Sequence, residues 1–340
     1  MSSSLYDVRK IPGKGRGLVT RSDVPEGTRI LSEKPLLMIP NNMSNEQLEA
    51  RLARDLKALD KTQQRQFFSL HNSYTGKYVL GGIFKTNSMA CGSDLSAIAI
   101  FPTISFINHS CLPNSHYNWN DSMGVQTIHV TRDLSAGEEI SICYTDSGSA
   151  SVRQAYLKKH FGFHCSCAIC SLSATHRNAS DARREEISRL QDAFESTDHA
   201  SSKPEEAFFD LRKIVDLLNK EFKGAAKVPE ADIYCYAVQL SLFHSDEARV
   251  SVFAEKAYKA LLVCVGEDGE NTQEMKALID NPASHGDFGS LSDRWRSNRC
   301  DAPRDRGFDK RYFEDWLWHS VERVETEDLS DHDCPDFGRG

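Results

Sequence analysis

Three cysteines crowd into six residues of this sequence, Cys165-Ser-Cys167-Ala-Ile-Cys170, whereas the other seven of its ten cysteines are scattered. The first ten residues, MSSSLYDVRK, contain no apolar signal core, which predicts an intracellular protein, nuclear or cytoplasmic or both. In that setting we expect reduced thiols rather than a disulfide framework. Closely spaced thiolates are ligands that tetrahedral zinc prefers. The spacing therefore suggests part of a structural metal site.

The composition is that of an ordinary soluble globular protein with room for two domains. The 340 residues are 39% hydrophobic and 26% charged, and 41 Lys and Arg against 49 Asp and Glu give a formal net charge of −8. No apolar run approaches the roughly 20 residues that a membrane-spanning helix needs. These features argue against a membrane protein and against direct nucleic-acid binding, and we expect a monomer.

The net charge is divided unevenly between the two halves of the chain. Residues 1–170 carry 18 basic and 14 acidic side chains, a net of +4, whereas residues 171–340 carry 23 and 35, a net of −12. This asymmetry predicts two units with different roles, and an acidic half favours a basic partner. A solvated acidic helical surface explains the same charge equally well.

The first half has the pattern of short strands joined by turns. Glycine-bounded runs rich in Ile, Leu and Val predict β-hairpins. Strands are expected at residues 78–80, 97–101, 125–130 and 140–144.

A helical insertion interrupts this β pattern at about residues 44–71. Ser44 and Gln47 have the spacing of a capping box, and leucines follow at helical intervals. Asp60 and Gln63 have the same spacing and predict the start of a second helix.

After Cys170 the pattern becomes that of amphipathic helices, following a linker-like stretch at 171–180. Helices are expected around residues 187–194, 208–222, 233–243, 254–262 and 312–324. The stretch 231–268 resembles one helix-turn-helix unit of the tetratricopeptide kind. The acidic end, 325–340, is expected to be mobile.

Four short segments follow one another along the first half. They are Gly-Lys-Gly-Arg-Gly at 13–17, Asn-His-Ser-Cys at 108–111, Gly-Glu-Glu-Ile-Ser-Ile-Cys-Tyr at 137–144 and the three-cysteine run at 165–170. In this order they resemble the SET-domain family of protein lysine methyltransferases, over roughly residues 8–170. The resemblance implies S-adenosyl-L-methionine as the cofactor, S-adenosyl-L-homocysteine as its product and a lysine-containing protein as the substrate.

The glycine-rich segment lets the backbone approach a ligand, and Lys14 and Arg16 offer charge to a carboxylate. A plain hairpin turn explains these residues when they are taken alone, and a core histidine bonded to neighbouring backbone explains His109. The resemblance implies instead that both line the cofactor pocket. The implied cofactor-binding residues are Lys14, Gly15, Arg16, Asn87, Ser105, Asn108, His109, Tyr144 and Phe163.

Tyr144 matches the tyrosine at the methyl-transfer centre of the family. Without the resemblance, a strand tyrosine at the edge of the core is the preferred interpretation. Transfer to an amine requires alignment and a neutral lysine, so we assign Tyr144 orientation and electrostatics and name no base. Phe161 and Phe163 are expected to line the substrate channel. Related sequences usually carry a tyrosine where Phe161 stands, which leaves the number of methyl groups added open.

Cys111, in the Asn-His-Ser-Cys segment, is the obvious fourth thiol to join Cys165, Cys167 and Cys170. This set matches the family's post-SET zinc site, so we expect one structural Zn²⁺ with four sulfur ligands. Buried free thiols are the alternative, and they are the preferred interpretation of the remaining six. Those six are Cys91, Cys143, Cys235, Cys264, Cys300 and Cys334.

The expected fold class is α+β. It comprises a β-rich SET domain at 1–170 with the helical insert and zinc site, an all-helical, tetratricopeptide-like domain at 171–285, and a tail at 286–340 with one helix. Residues 41–85 contain no cysteine, so the second zinc module of the SET-and-MYND-type branch is absent, as in a fungal branch of SET proteins.

The expected activity is S-adenosylmethionine-dependent protein-lysine N-methylation of a basic segment such as a histone tail, beside an acidic helical wall. A catalytically weak or silent SET protein that binds cofactor or peptide, or acts as a scaffold, is the alternative.

Overall fold

A computed structural model describes residues 5–92, 96–145, 148–196, 202–222, 227–303 and 310–319. The chain divides into two compact units, each assembled from three stretches of sequence. The first unit comprises Met1–Ser188, Leu218–Val228 and Ala260–Thr272, and the second comprises Arg189–Leu217, Pro229–Lys259 and Gln273–Gly340. The β-sheets belong to the first unit, and the second is helical.

The strands of the first unit are short. They are β1 (Tyr6–Ile11), β2 (Gly15–Thr20), β3 (Arg29–Glu33), β4 (Leu37–Pro40), β5 (Ser88–Cys91), β6 (Ala97–Ile100), β7 (Asn108–His109), β8 (Ser115–Asn120), β9 (Val125–Val130) and β10 (Ser141–Ile142). Strands β1 and β2 form an antiparallel hairpin, and two antiparallel sheets have the orders β3-β9-β8 and β4-β6-β5. Strands β7 and β10 pair in parallel. The strands expected at 97–101 and 125–130 are confirmed, and the one expected at 140–144 is shorter.

The helices account for most of the remaining described residues. They are α1 (Asn45–Ala58), α2 (Lys61–Phe68), α3 (Val79–Asn87), α4 (Ala150–Phe161), α5 (Ala174–Ser196), α6 (Pro204–Phe222), α7 (Lys227–Phe243), α8 (Glu247–Cys264), α9 (Glu270–Asp280) and α10 (Lys310–Leu317), with 3-10 turns at Ile104–Phe106, Pro282–Ser284 and Arg299–Asp301. No helix in the described ranges is both long enough and apolar enough to span a bilayer.

The helical insertion forms as the sequence predicts. Both capping boxes are present, Ser44 with Gln47 at the start of α1 and Asp60 with Gln63 at the start of α2. The apolar faces of the two helices pack against Ile39 and other residues of the β4-β6-β5 sheet. The insert therefore shares its core with a sheet of the first unit.

The strand expected at residues 78–80 is wrong, because this segment begins helix α3. The carboxylate of Glu49, in α1, accepts hydrogen bonds from the backbone N–H groups of Leu80, at 3.1 Å, and Gly81, at 2.7 Å. These donors at the start of a helix have no intrahelical partner, and a nearby carboxylate stabilises them. A contact from another helix thus overrides the local strand propensity.

The second half is helical, as expected, with some changes at the boundaries. Residues 174–180, which the linker-like stretch included, form the first two turns of α5. The helix expected at 312–324 is observed at Lys310–Leu317, and residues 320–340, including the acidic end, lie outside the described residues. The tetratricopeptide-like pairing stays a prediction.

An aromatic core and a buried ionic group organise the second unit. Phe208 packs on Phe253 and Trp295, with ring centroids 5.7 and 5.4 Å apart. The fully buried Asp246 carboxylate pairs with Arg249 at 2.6 Å and accepts a hydrogen bond from Ser297. Buried charges of this kind are stable when they are paired and hydrogen-bonded.

Candidate active site

A cavity of about 820 Å³ opens in the first unit, and we refer to it as the central cavity. Its volume lies in the range of small-molecule sites, roughly 300–1,000 Å³. The structure brings every residue of the expected cofactor site and substrate channel to its wall. They are Lys14, Gly15, Arg16, Asn87, Ser105, Asn108, His109, Tyr144, Phe161 and Phe163.

The parallel pair β7–β10 brings two of the sequence motifs together. Asn108 lies opposite Ser141 and His109 opposite Ile142. Tyr144 lies two residues after the end of β10, and its backbone N–H donates to Nδ1 of His109 at 3.0 Å. Asn108, His109 and Tyr144 therefore share one corner of the central cavity.

Glu139 ties the glycine-rich turn to this corner, a role that sequence reasoning missed. Its carboxylate binds Lys14 Nζ at 2.7 Å and accepts a hydrogen bond from Asn108 Nδ2 at 2.9 Å. Asn108 Nδ2 also donates to the carbonyl oxygen of Arg16 at 3.1 Å. Glu139 belongs to the 137–144 motif, so the sequence indicates that it lies near the site. The sequence does not predict its contact with Lys14.

Two further polar residues of the wall, Arg16 and Asn87, are held by backbone carbonyls. The Arg16 guanidinium donates to the Ser69 carbonyl and lies 4.0 Å from the centroid of the Phe106 ring. Asn87 Nδ2 donates to the carbonyls of His71 and Ile83, both at 2.7 Å. These contacts fix side-chain orientation before any ligand binds, which favours tight binding.

The Tyr144 hydroxyl is protonated and oriented. Burial raises the pKa of Tyr144, and the nearby Glu139 carboxylate raises it further. The hydroxyl donates to the carbonyl oxygen of Ile107. The Tyr144 ring lies 4.8 Å from the Phe161 ring and 5.3 Å from the His109 ring, measured between centroids. A hydroxyl in these surroundings acts as a hydrogen-bonding group rather than as a base.

His109 is neutral, and its tautomer follows from its contacts. Burial lowers the pKa of His109 to about 4. Because Nδ1 accepts the Tyr144 N–H, the ring proton is on Nε2, which lies 3.3 Å from Cys111 Sγ. His109 therefore presents an N–H donor to a sulfur atom, the arrangement that suits a thiolate.

The loop between α2 and α3 contributes residues that sequence reasoning did not find. Ser73 Oγ donates to the backbone carbonyl of Phe161 at 2.9 Å, and the Tyr74 hydroxyl lies 3.1 Å from His160 Nδ1. Tyr74, His160 and Phe161 all line the central cavity. The loop that follows the insertion thus holds the end of α4 that carries Phe161, a contact for which the sequence has no local signal.

The four cysteines of the expected metal site come together, and we call them the four-cysteine cluster: Cys111, Cys165, Cys167 and Cys170. Their sulfur atoms all lie within 4.8 Å of one another, and Cys111 Sγ is 3.6 Å from Cys170 Sγ and 4.0 Å from Cys165 Sγ. These distances are too long for disulfide bonds, whose sulfur atoms lie about 2.05 Å apart. Tetrahedral zinc with bonds of about 2.3 Å separates its sulfur ligands by roughly 3.8 Å, so the geometry fits a zinc site.

The other cysteines form no disulfide where the structure describes them. Cys91 and Cys264 are buried, and Cys143 and Cys235 are half-buried. Cys300 is exposed, so the expectation of a buried thiol is wrong there. Cys334 lies outside the described residues.

The wall of the central cavity is basic and aromatic. Lys14, Arg16 and Lys85 line it, together with four histidines, and the described lining residues include no Asp or Glu. A wall of this kind suits a ligand with a carboxylate beside an aromatic channel.

A SET-domain family model matches residues 15–145. The chain is 31% identical over 287 residues to the histone-lysine N-methyltransferase set5 of Schizosaccharomyces pombe, a match covering 83% of this chain and 86% of that protein. Shorter matches include histone-lysine N-methyltransferase ASHR1 of Arabidopsis thaliana, 40% identical over 24% of this chain and 17% of that protein. Human histone-lysine N-methyltransferase SMYD3 is 32% identical over 24% of this chain and 19% of its own length.

The extent of the set5 match, together with the SET model and the assembled motifs, shows the family. The chain belongs to the SET-domain family of protein-lysine methyltransferases. Enzymes of this family use S-adenosylmethionine as the methyl donor.

Gly17→Ala tests the close packing behind the glycine-rich turn. A Cβ at Gly17 would lie 2.6 Å from Ile11 Cγ1 and 2.8 Å from Asn108 Nδ2. We expect the free energy of unfolding in urea to fall by about 1–3 kcal/mol, the usual cost of overpacking. Gly286→Ala is the control, because its added Cβ meets nothing within 4 Å. Equal stability of the two variants would contradict the packing argument.

Proposed function

We propose that this protein is an S-adenosylmethionine-dependent protein-lysine N-methyltransferase that acts on a basic protein segment such as a histone tail. The observation that carries the proposal is the central cavity, whose wall contains all ten residues expected for the cofactor site and channel. The histone-lysine methyltransferase name of the set5 relative supports a histone substrate.

We propose that the cofactor is held by the polar side of the central cavity. Lys14 and Arg16 offer cations for its carboxylate, and Asn87, Ser105 and Asn108 offer amide and hydroxyl groups. A Cβ at Gly15 would meet nothing within 4 Å, so the backbone of the glycine-rich turn borders open space. These observations fit the group. S-adenosylmethionine supplies an electrophilic methyl group on a sulfonium.

On the substrate side, Tyr144 is the proposed catalytic residue. Its protonated hydroxyl has a fixed direction through Ile107 and can orient an incoming amine. The rings of Tyr144, Phe161 and Phe163 exclude water, which disfavours an ammonium ion and lowers a lysine pKa from its usual value of about 10.4. The target lysine can then lose its proton to water near neutral pH. Alignment and desolvation, rather than a protein base, carry the reaction in this scheme.

We propose that the four-cysteine cluster holds one structural Zn²⁺. The sulfur separations fit a tetrahedral site, and the Nε2–H of His109 and the backbone N–H of Cys167 point at sulfur atoms. Since Cys165 and Cys167 line the central cavity beside Phe163, the metal would hold one wall of the channel in place.

The charge of the chain supports a basic substrate through long-range attraction. The described lining residues of the central cavity are not acidic, so this attraction must come from elsewhere on the chain. Residues 171–340 have a net charge of −12. A field of that sign raises the encounter rate of a Lys-rich peptide.

We propose a SET domain at 1–170, a helical domain at 171–285 with a tetratricopeptide-like pair, and a tail at 286–340. Helices α7 and α8, joined by three residues, support the pair. We further propose a monomer in the nucleus, the cytoplasm or both, with no direct contact to nucleic acid.

A catalytically weak or silent SET protein that binds cofactor or peptide, or serves as a scaffold, is the second candidate. Phe161 favours it, because a phenylalanine supplies no hydroxyl to hold water or amine near the acceptor. Cofactor binding separates a pure scaffold from the other two, and turnover separates the enzyme from a silent binder.

Tyr144→Phe tests the activity and the role of the tyrosine. With radiolabelled S-adenosylmethionine and a panel of histones and cell extract, we expect labelling to fall about 10²- to 10³-fold, as when one electrostatic donor is removed from an active site. Calorimetric affinity for S-adenosylmethionine should change by less than about tenfold, the scale of one hydrogen bond. Tyr312→Phe, on an exposed ring of α10, is the control. Undiminished labelling by Tyr144→Phe would refute the catalytic role, whereas cofactor binding without any labelling by the wild type would favour the silent protein.

Elemental analysis tests the metal. We expect one zinc per chain in the wild type, and loss of zinc together with weaker cofactor binding in Cys170→Ser, because folding and metal binding are coupled. Cys300→Ser, at an exposed thiol, should keep its zinc. A metal-free wild type, or full zinc content in Cys170→Ser, would contradict the proposed site.

Salt dependence tests the attraction of a basic substrate. Between 50 and 300 mM NaCl we expect kcat/KM for a Lys- and Arg-rich peptide to fall by about tenfold, the lower end of the range for electrostatic steering. A matched peptide with the same target lysine but glutamine at every flanking basic position should change little. The same salt response for both peptides would count against the charge argument.

A further inference from the structure

The guanidinium of Arg153 is buried without enough partners. Arg153 lies in the first turn of α4 and is 1% exposed. Its Nη1 donates to the carbonyl oxygen of Gly148, but Nε and Nη2 are inaccessible to solvent and have no hydrogen-bond partner. A buried cation with unmade hydrogen bonds is costly, so an acceptor close to Nε and Nη2 is expected.

The nearest carboxylate does not supply that partner. Asp181, in α5, has its Oδ1 3.9 Å from Arg153 Nη1, which is an ion-pair distance but too long for a hydrogen bond. The same Oδ1 accepts the backbone N–H of Ala150 at 2.7 Å, so it is committed to the start of α4. Asp181 therefore leaves the Nε and Nη2 donors unsatisfied.

The unpartnered donors lie beside the four-cysteine cluster. Leu157, one turn after Arg153 on α4, packs with Cys111 and Cys165 in one buried cluster. Gln154, the residue after Arg153, donates its Nε2 to the carbonyl oxygen of Cys165 at 2.7 Å. Burial disfavours the charge of Arg153, but the Cys111 and Cys170 side chains outweigh that effect and raise the pKa of Arg153. Cys111 is itself 2% exposed. Both sides of this contact are thus removed from water, where electrostatic interactions are strongest.

A second buried arginine approaches the cluster from α5. Arg184 is 6% exposed, and its Nη2 donates to the backbone carbonyl of Cys111 at 3.2 Å. The charge of Arg184 is compensated by the buried Glu221 carboxylate, which Arg184 Nε binds at 2.6 Å. Arg183 binds the same carboxylate. Arg153 differs from Arg184 in that its donors are not taken up by a carboxylate.

The negative charge of a zinc-bound four-cysteine cluster explains why a buried cation lies beside it. Four thiolates with one Zn²⁺ carry a net charge of −2, and burying that charge without compensation is unfavourable. Neutral thiols, in contrast, give a buried guanidinium little stabilisation. The environment of Arg153 therefore matches a metal-bound tetrathiolate rather than four protonated cysteines.

We propose that Arg153 is a positioning residue of the zinc site, whose unpartnered N–H groups hydrogen-bond the thiolate sulfurs of Cys111 and Cys170 and compensate their charge. The proposal rests on the proposed zinc site. Such outer contacts raise metal affinity and make thiolates less reactive. Arg153 also connects the metal to the start of α4, the helix that ends at Phe161 in the channel wall.

The test uses the full-length, zinc-loaded protein and two substitutions of Arg153. Arg153→Met keeps the length and removes the charge, and Arg153→Lys keeps the charge without the planar fork of donors. Arg183→Met is the matched control, since Arg183 binds the same Glu221 as Arg184 and is 30% exposed. Zinc affinity is measured by competition with a chromogenic chelator, and the reactivity of the cluster by its rate of alkylation with iodoacetamide, read by mass spectrometry.

We expect zinc affinity to fall about 10- to 100-fold in Arg153→Met, by less in Arg153→Lys, and by less than about twofold in Arg183→Met. Alkylation of the cluster should be fastest in Arg153→Met. The cobalt-substituted proteins should keep the sulfur-to-metal absorption bands of a tetrahedral thiolate site, which shows that the site still forms.

If Arg153→Met binds zinc as tightly as the wild type and is alkylated no faster, the inference is wrong while the zinc site stands. If the wild type holds no zinc, the zinc site itself is wrong and the inference fails with it. Should Arg153→Met not fold, Arg153→Lys decides, because an unchanged zinc affinity and alkylation rate in that variant would show that the fork of donors does not matter.

Discussion

The parallel pairing of β7 with β10 is the contact on which the site depends. Each strand is only two residues long, and the two are separated by more than thirty residues of chain that form the β8–β9 hairpin. Asn114 holds the pair together, because its side chain accepts the Ser141 N–H at 2.8 Å and donates to the Glu139 carbonyl at 2.9 Å. Parallel strands need a long crossover, and here the connection contains β8 and β9. Without this pairing, neither Tyr144 nor Glu139 would reach the residues around His109.

The parts of the fold that were predictable are those with a local cause. The two capping boxes lie within four residues of sequence, so they can be read without tertiary information, and both form. Residues 78–80 show the opposite case. Tyr78, Val79 and Leu80 have strand propensity, yet α3 forms because Glu49 of another helix accepts its first N–H groups. Tertiary contacts of this kind leave no mark on the segment that they change.

The candidate site shows the same division. The residue types in the motifs, together with the resemblance, predict a set of cofactor residues and a set of four cysteines, and the structure brings the members of each set together. Their partners were not predictable. Val152 is 58% exposed and its neighbour Arg153 is 1% exposed, the reverse of what hydropathy predicts for this pair. From the sequence alone, an arginine at this position is expected on the surface. Its burial depends on neighbouring residues that are distant in sequence, the four cysteines among them.

Exclusion of water affects both the surroundings of Tyr144 and the four-cysteine cluster. It favours neutral groups at the first, whereas nearby arginines favour charged groups at the second. Around Tyr144, aromatic rings and burial favour neutral groups, which is what an amine acceptor requires. Around Cys111, burial would also favour neutral groups, but two arginines lie close enough to stabilise thiolates. Cys165 and Cys167 border the same cavity as Phe163, so the charged and the neutral regions share one wall. A zinc ion held by the four cysteines would therefore do more than stabilise the fold, because it would keep thiolate charge fixed beside the proposed substrate channel.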